Sequence, residues 1–224
     1  SDSAQIAQMT HNPFRGVKLP AKPRSRPKAI KDKTIEILLD GIANTNHDRG
    51  GYPAKVAAAL KARNTAMVHF LRSTGCRLDG LLTLKLANIT LADGDGFAHV
   101  FEKGQGASSE RDVVMDEKCV IAFLEWLDHH PNPSPNAAAF CNVYGKTIGK
   151  SMTENGTYSM LRRIAKRSKI IGRYNPHSFR HGAITKWVEE LDVGAASQLA
   201  GHSSVTVTID TYARYDLKRL RKAH

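Results

Sequence analysis

Residues 175–213 read NPHSFRHGAITKWVEELDVGAASQLAGHSSVTVTIDTYA, and this stretch holds four of the side chains that could carry chemistry. Apolar residues recur in it at helical spacing, which predicts three helices, over about 177–190, 194–200 and 205–215. Gly201 and His202 stand between the second helix and the third and are typical of a helix C-cap followed by a turn. Groups that bind anions or transfer protons recur along the stretch: His177, Arg180, His202 and Tyr212.

Two earlier stretches each combine a turn with a single cation. In STGCRLDGLL, residues 73–82, a Gly turn precedes Arg77 at the predicted start of a helix. In FEKGQG, residues 101–106, Lys103 ends a predicted strand beside a polar loop. Taken alone, such an arginine is more often a surface ion-pair residue, and such a lysine is more often a solvated loop residue. A functional role for Arg77 or Lys103 therefore depends on the other motifs in the chain.

The remaining segments are mostly amphipathic helices with one strand-rich part. Helical periodicity predicts four further helices, near 32–44, 53–73, 116–129 and 153–168. A short helix is expected directly after Gly75. Short apolar runs predict three strands, near Ile89, at 97–102 and at 111–115. We therefore expect a mainly α fold with a small three-stranded antiparallel sheet, an α+β architecture.

The chain is strongly basic, with 33 Lys plus Arg against 21 Asp plus Glu, a formal charge of +12. The excess lies in three blocks: residues 15–33 and 146–173 each hold eight basic residues and one acid, net +7, and residues 214–224 hold five basic residues and one acid, net +4. Such blocks favour a polyanionic partner. Because no basic block doubles as a strongly apolar amphipathic helix, nucleic acid is favoured over a membrane surface.

Several function classes are excluded by what the sequence lacks. No apolar run approaches the roughly 18–20 residues that span a bilayer. The three cysteines, Cys76, Cys119 and Cys141, are far apart and without CxxC spacing, so neither a disulfide framework nor a zinc ribbon is expected. No Walker loop, GxSxG elbow or cluster with metal-ligand spacing is present.

Together these stretches resemble the catalytic domain of the tyrosine site-specific recombinases, the phage integrase family. TGCR resembles the family's first-arginine turn, EKG with RDVVM resembles its lysine hairpin, and PHSFRHG is similar to its His-x-x-Arg-His helix. LAGHSSVTVTIDTYA looks like the Gly-His turn that leads to the nucleophile helix. The resemblance runs from about Pro27 to the C-terminus and depends on the joint order and spacing of the motifs.

The resemblance implies that three of these residues attack and hold a DNA phosphodiester. Tyr212 would be the nucleophile, forming a 3′-phosphotyrosyl link and releasing a 5′-hydroxyl strand. Arg77 and Arg180 would bind the non-bridging oxygens with paired hydrogen bonds, a planar geometry that lysine lacks. The covalent link keeps the phosphodiester energy and the guanidiniums take the place of a metal ion. We therefore expect no cofactor, no metal and no ATP.

The resemblance assigns the proton transfers and a further phosphate contact to three other residues. Lys103 would protonate the leaving oxygen, His177 would assist proton transfer at the tyrosine, and His202 would hydrogen-bond the phosphate. Lys146 and Lys150, in other loops, compete with Lys103 for its role.

Two features leave alternatives open. Tyr215 lies one helical turn beyond Tyr212 and is also near basic residues, although the position relative to the Gly-His turn favours Tyr212. The family usually has an acidic residue three positions after its first arginine, where this chain has Gly80 and the nearest carboxylate is Asp79. A non-catalytic DNA-binding relative is therefore an alternative, and a type IB-like topoisomerase, which nicks DNA without exchanging partners, is a third.

Charge and proline content divide the chain into three parts. We interpret residues 1–14 as the remnant of a preceding region, 15–30 as an extended basic linker, and 31–224 as the catalytic domain with its nucleophile helix and tail. Recombinases of this kind carry a further helical domain before the linker. The resemblance thus implies an excised catalytic domain or a truncated relative.

Double-stranded DNA is the expected partner, in a reaction of DNA integration or excision. The resemblance implies a tetramer on DNA and a monomer or weak oligomer when free, in the cytoplasm. The expected DNA contacts lie in the linker and along one helix face: Arg24, Arg26, Lys28, Arg162, Arg163 and Lys166.

Overall fold

The computed structural model of the protein describes residues 29–45, 51–92, 94–103, 108–202 and 204–209. Its helices are α1 (Asp32–Ala43), α2 (Ala54–Thr74), α3 (Leu78–Thr83), α4 (Glu117–Asp128), α5 (Glu154–Arg167), α6 (Pro176–Glu190) and α7 (Val193–Ala200). Residues 205–209 are also helical. These bounds agree with the predicted helices, except that the predicted helix over 205–215 lies outside the described residues beyond position 209.

A small sheet interrupts the helices between α3 and α4. Its strands are β1 (Ile89–Leu91), β2 (Gly96–Lys103) and β3 (Ser108–Met115), in the order β1-β2-β3 with both pairings antiparallel. Side chains of β2 alternate between buried and exposed along the whole strand, as a half-buried strand requires. The predicted mainly helical fold with a three-stranded antiparallel sheet is confirmed.

Helix α2 forms the centre of the core. Met67, Val68, Phe70 and Leu71 in its second half are fully buried, and it packs against α1, α4, α6 and β3. The Phe70 ring meets Phe140 edge-on with 5.5 Å between the ring centroids, a favoured arrangement for aromatic pairs. This packing holds the C-terminal end of α2 in place, and the chain that leaves that end enters the candidate site.

Local chemistry determines where the later helices begin. Each starts with a side chain that accepts a hydrogen bond from the backbone N–H three residues on: Asp116 for α4, Thr153 for α5, Asn175 for α6 and Asp192 for α7. These are the preferred cap residue types, because their short side chains satisfy an N–H that has no partner within the helix. In α6 the cap precedes Pro176, which suits the first helical position.

Two glycines end helices and direct the chain into the candidate site. Gly75 after α2 and Gly201 after α7 are left-handed, with φ of 54° and 61°, a conformation that glycine adopts without a steric penalty. Arg77 follows the first glycine by two residues, and His202 follows the second directly. Among the described residues, no helix is long and apolar enough to cross a membrane.

Candidate active site

A buried carboxylate lies at the centre of the candidate site. The side chain of Glu102, on the inward face of β2, is fully buried. One oxygen, Oε2, accepts a hydrogen bond from Arg77 Nη1 at 2.7 Å, and the other, Oε1, accepts one from Arg111 Nη2 at 3.1 Å. Arg180 Nη1 lies 3.8 Å from Oε2. Three guanidiniums from three separate elements thus surround one carboxylate.

Arg77 is anchored through both its backbone and its side chain. It immediately precedes α3, and its backbone N–H donates to Glu102 Oε1 at 2.6 Å. Since that N–H lies at a helix start, Glu102 also supplies the partner that such a position otherwise lacks. The Arg77 side chain remains 29% exposed, so it is held by Glu102 while part of it stays open to solvent.

Arg180 is almost completely buried, with 5% of its side chain exposed. It extends from α6 to two helix ends: Nη1 donates to the Gly75 carbonyl at 2.9 Å, and Nη2 donates to the carbonyl of Ala200. Burial, together with repulsion from Arg77, lowers the pKa of the Arg180 guanidinium to about 10. It therefore stays charged at neutral pH. These contacts tie together the two glycine turns that present Arg77 and His202.

Arg111 is a member of the site that sequence reasoning missed. Its position opposite Val100 places it on the inward face of β3, and its side chain is 11% exposed. Nη1 donates to the Leu199 carbonyl near the end of α7, while Nε and Nη2 point at Glu102. Arg111 therefore joins β3 to α7. The available signal was the alternation of the strand, which also places Glu102 inward with Ala98 and Val100.

The charges of the cluster do not cancel. Burial alone would raise the pKa of the Glu102 carboxyl, but attraction to Arg111, hydrogen bonds from Arg111 and from the Arg77 N–H, and attraction to Arg180 hold it below its usual range. Glu102 is therefore ionised at neutral pH. Three arginines and one carboxylate leave a net charge of +2 in a water-poor setting, where electrostatic attraction to an anion is stronger than in bulk water.

His202 lies in the field of the same arginines. Burial, followed by repulsion from Arg180, Arg77 and Arg111, lowers its pKa to about 4, so the ring is neutral at pH 7. Its Nδ1 is 2.7 Å from the hydroxyl of Thr208, which is itself fully buried. When that hydroxyl donates to Nδ1, the ring proton resides on Nε2 and is available to a phosphate oxygen. Like Glu102 and Arg111, Thr208 is a residue that sequence reasoning missed.

His177 occupies the first turn of α6 and is exposed. Partial desolvation of its ring, then repulsion from Arg180 and Arg77, lowers its pKa. Its Nε2 is 2.9 Å from Nε2 of His181, one helical turn on. Burial and repulsion from His177 and the neighbouring cations lower the pKa of His181 to about 4. With both rings neutral, one Nε2 donates to the other.

Lys103 is exposed and lies on the face of β2 opposite Glu102. Its backbone N–H donates to Asp79 Oδ2, on the helix that Arg77 begins. Two hydrogen bonds therefore join the last residues of β2 to the start of α3. Glu102 accepts one from the Arg77 N–H, and Asp79 accepts the other from the Lys103 N–H. The strand end that carries Lys103 is therefore held next to Arg77.

The remaining sequence-predicted residues either lie away from this cluster or fall outside the described residues. Arg162, Arg163 and Lys166 lie on the exposed face of α5. Outside the described residues lie Arg24, Arg26, Lys28, Tyr212 and the competing Tyr215. Lys146 and Lys150, the alternatives to Lys103, are exposed in the segment before α5. Of the predicted catalytic set, Arg77, Arg180, His177 and His202 converge, with Lys103 at the adjoining strand end.

This arrangement suits a phosphodiester undergoing substitution. A pentacoordinate phosphorus carries more negative charge on its non-bridging oxygens than the ground state does, and fixed donors stabilise that added charge without reorganising. Here the arginines are fixed by carbonyls and by Glu102, and the neutral His202 adds a donor. In the described part of the chain, no group of three or more His, Cys, Asp or Glu side chains could hold a metal ion. The fold is thus an α+β domain with a fixed cluster of positive charge that would suit a phosphate.

The sequence and the fold match known proteins of one family. The phage integrase family profile matches residues 47–219, so the chain belongs to the phage integrase family. Tyrosine recombinase XerC of Haemophilus ducreyi is 28% identical over 216 residues, which cover 95% of this chain and 63% of the relative. The chain therefore spans just under two thirds of that relative's length.

Solved structures share the fold at lower identity. XerH site-specific recombinase, in a post-cleavage complex with a palindromic difH substrate, superposes with a TM-score of 0.67 at 23% identity, covering 89% of this chain and 53% of that chain. The Tn1549 transposon integrase, in complex with transposon right end DNA, gives a TM-score of 0.62 at 20% identity, covering 98% and 75%. At these identities the likeness shows the fold.

Proposed function

We propose that the protein is the catalytic domain of a site-specific recombinase, which cleaves and rejoins DNA strands through a 3′-phosphotyrosyl intermediate. The observation that carries the proposal is the convergence of Arg77, Arg180 and His202 on one charged cluster beside the strand end of Lys103. Membership of the phage integrase family supports the same reaction. The DNA complexes of the Tn1549 integrase support DNA as the partner.

In the proposed step, the Tyr212 oxygen attacks phosphorus. The tyrosyl O–P bond forms as the bond from phosphorus to the 5′ oxygen breaks, so the number of phosphoester bonds is unchanged. Arg77 and Arg180 bind the non-bridging oxygens throughout. Rejoining is the same step in reverse, with the 5′-hydroxyl of another strand as the nucleophile. No external energy source is consumed.

Proton transfers accompany both bonds. The tyrosyl proton passes to His177, whose lowered pKa keeps the ring neutral and able to accept it. Lys103 donates a proton to the departing 5′ oxygen, and its place at the end of β2, tied to Asp79, suits a group that must act beside Arg77. His202 donates a hydrogen bond to the phosphate from Nε2 while Thr208 holds Nδ1.

The exposed cations complete the proposal as contacts to the DNA backbone. Arg162, Arg163 and Lys166 share the exposed face of α5 and would bind phosphates, as would Arg24, Arg26 and Lys28 in the basic linker over 15–30. Strand exchange needs two duplexes cut together, so we propose a tetramer assembled on DNA. The division into a preceding remnant, a linker and a catalytic domain over 31–224 belongs to the same proposal.

The covalent intermediate provides the decisive test. Sites are first selected from a random duplex pool at low salt with a Tyr212→Phe protein, which binds without consuming its substrate. A selected site is then made with a nick close to the cleavage position, so that the short released strand diffuses away and the covalent complex accumulates. The complex is detected by its resistance to denaturation.

The proposal expects an adduct with the unchanged chain and with Tyr215→Phe, and none with Tyr212→Phe. Specific binding of a selected site without any adduct would overturn the enzymatic proposal in favour of a DNA-binding protein without catalysis. Relaxation of supercoiled DNA without exchange between two labelled duplexes would instead identify a topoisomerase.

A further inference from the structure

The third residue after Arg77 is Gly80, and the Glu102 side chain occupies the space where a side chain at position 80 would lie. Gly80 lies buried in α3, and a Cβ atom built on it would come within 2.9 Å of Glu102 Cγ and 3.5 Å of Glu102 Oε1. Real Cβ atoms essentially never approach a neighbour as closely as the first of these distances. No side chain fits at position 80 while Glu102 holds its present place, so the two positions compete for one volume.

We infer that Glu102 is the positioning residue of the arginine cluster, and that Gly80 is small because this carboxylate arrives from β2 instead of from α3. The inference rests on the proposed function, since it concerns how the phosphate-binding arginines are oriented. Glu102 is not itself a catalytic residue. A carboxylate repels a phosphate, and the described contacts of Glu102 include the arginines and the backbone N–H of Arg77.

The contacts explain why one carboxylate suffices. The two oxygens of Glu102 contact different groups. Oε1 accepts hydrogen bonds from the Arg77 N–H and from Arg111. Oε2 accepts one from Arg77 Nη1 and lies close to Arg180. Without this central anion, three guanidiniums would repel one another inside a buried site, where such repulsion is weakly screened. With it, they are held at fixed orientations and still leave a net charge of +2 for the phosphate.

Geometry also predicts that the carboxylate is transferable between the two positions. Because a Cβ at position 80 would lie 3.5 Å from the present Oε1, an aspartate there would place its carboxylate in the volume that Glu102 vacates on truncation. Gly80→Asp should therefore harm the site when Glu102 is present and help it when Glu102 is absent. The effect of Gly80→Asp on cleavage should thus change sign when Glu102 is removed. Two substitutions that acted independently would not show this change.

The experiment compares single-turnover cleavage of the nicked substrate by the unchanged chain and by five variants: Glu102→Gln, Glu102→Asp, Glu102→Ala, Gly80→Asp, and Gly80→Asp with Glu102→Ala. Glu110→Gln is the matched control, because it removes an acidic charge from the exposed face of the neighbouring strand, where the side chain is 67% exposed. DNA affinity and the melting temperature are measured for each, so that misfolded variants are identified.

We expect Glu102→Gln and Glu102→Ala to slow cleavage by about 100-fold, a loss of the size seen when one oriented donor is removed, with DNA affinity changed by less than about threefold. Glu102→Asp, which keeps the charge, should recover part of the rate. Gly80→Asp with Glu102→Ala should cleave at least about 10-fold faster than Glu102→Ala alone. Glu110→Gln should cleave like the unchanged chain.

Two outcomes would overturn the inference. Cleavage by Glu102→Gln at the unchanged rate would show that the charge does not position the arginines. A folded double variant that cleaves no faster than Glu102→Ala would show that positions 80 and 102 do not share one role. Either result leaves the proposed function standing, because the unchanged chain still forms the adduct. Absence of the adduct in the unchanged chain contradicts the proposed function itself.

Discussion

Two regions of this molecule are both positively charged but differ in how far their arginines are exposed to solvent. Arg77, Arg111 and Arg180 surround Glu102 with 29%, 11% and 5% of their side chains exposed. Arg162 and Arg163, on α5, are exposed to solvent. Charges in the first region are held by hydrogen bonds and weakly screened, whereas those in the second are screened by salt over about 10 Å at 0.1 M. The first region is therefore suited to act on one phosphate, and the second to attract many.

The largest effect is expected when a buried arginine is replaced by a residue of the same charge. Arg180→Lys removes the planar fork that reaches both the Gly75 and Ala200 carbonyls. We expect single-turnover cleavage to fall by about 1000-fold with little loss of DNA affinity, measured with the nicked substrate and by gel shift. Arg162→Lys is the matched control, and an equal loss of rate there would erase the distinction between the regions.

Adding a side-chain atom beside the buried arginines should lower stability more than adding one where the space is open. At Gly201, alanine would be strained by the φ of 61° and its Cβ would lie 2.8 Å from Arg111 Cδ. We expect Gly201→Ala to lower the free energy of unfolding by about 2 kcal/mol, measured by urea denaturation. Gly149→Ala is the control, because its φ of 78° is similar but nothing lies within 4 Å of its Cβ. Equal losses at both positions would mean that the contact with Arg111 has no effect.

The exposed region should respond through salt. Arg162→Ala with Arg163→Ala removes two cations that we propose to contact phosphates. The slope of log affinity against log salt concentration should then become shallower by about 2, since each phosphate contact contributes close to one. Cleavage by fully bound protein should stay within about threefold of the unchanged rate. A large loss of that rate would place α5 in the reaction itself.

The smallest expected effect is on stability in acid. The pKa values of His181 and His202 are lowered to about 4 by burial and neighbouring cations, whereas unfolded histidine titrates near about 6.5. As the pH falls from about 6.5 to about 4, the unfolded chain binds protons that the folded chain does not, so stability falls across that window. The melting temperature at several pH values measures this loss.

His181→Asn should flatten that decline. His99→Asn is the control: hydrogen bonding to Asp112 raises the pKa of His99, so the folded chain binds this proton above about pH 6.5, and the slope below that pH should barely change. A slope that His181→Asn left unchanged would show that His181 does not govern acid stability.

Local patterns made much of this structure predictable. The helix bounds and the strands agree with expectations from periodicity and turn residues. What sequence reasoning left out was Glu102, Arg111 and Thr208. A glutamate at the end of a strand and an arginine after a loop are ordinary surface residues in isolation. Only the consistent alternation of β2 hinted that Glu102 faces inward.

The helices and strands thus follow from the sequence alone, because caps, turns and periodicities act over a few neighbouring positions. Tertiary structure alone decided how the arginines are held. Glu102 meets Arg77 across 25 residues, and Arg111 meets the Leu199 carbonyl across 88. Such contacts depend on strand register and on how α7 packs beside the sheet. In the sequence, Gly80 stands where the family has an acid; in the structure, the space beside this helical glycine is filled by the Glu102 side chain from β2.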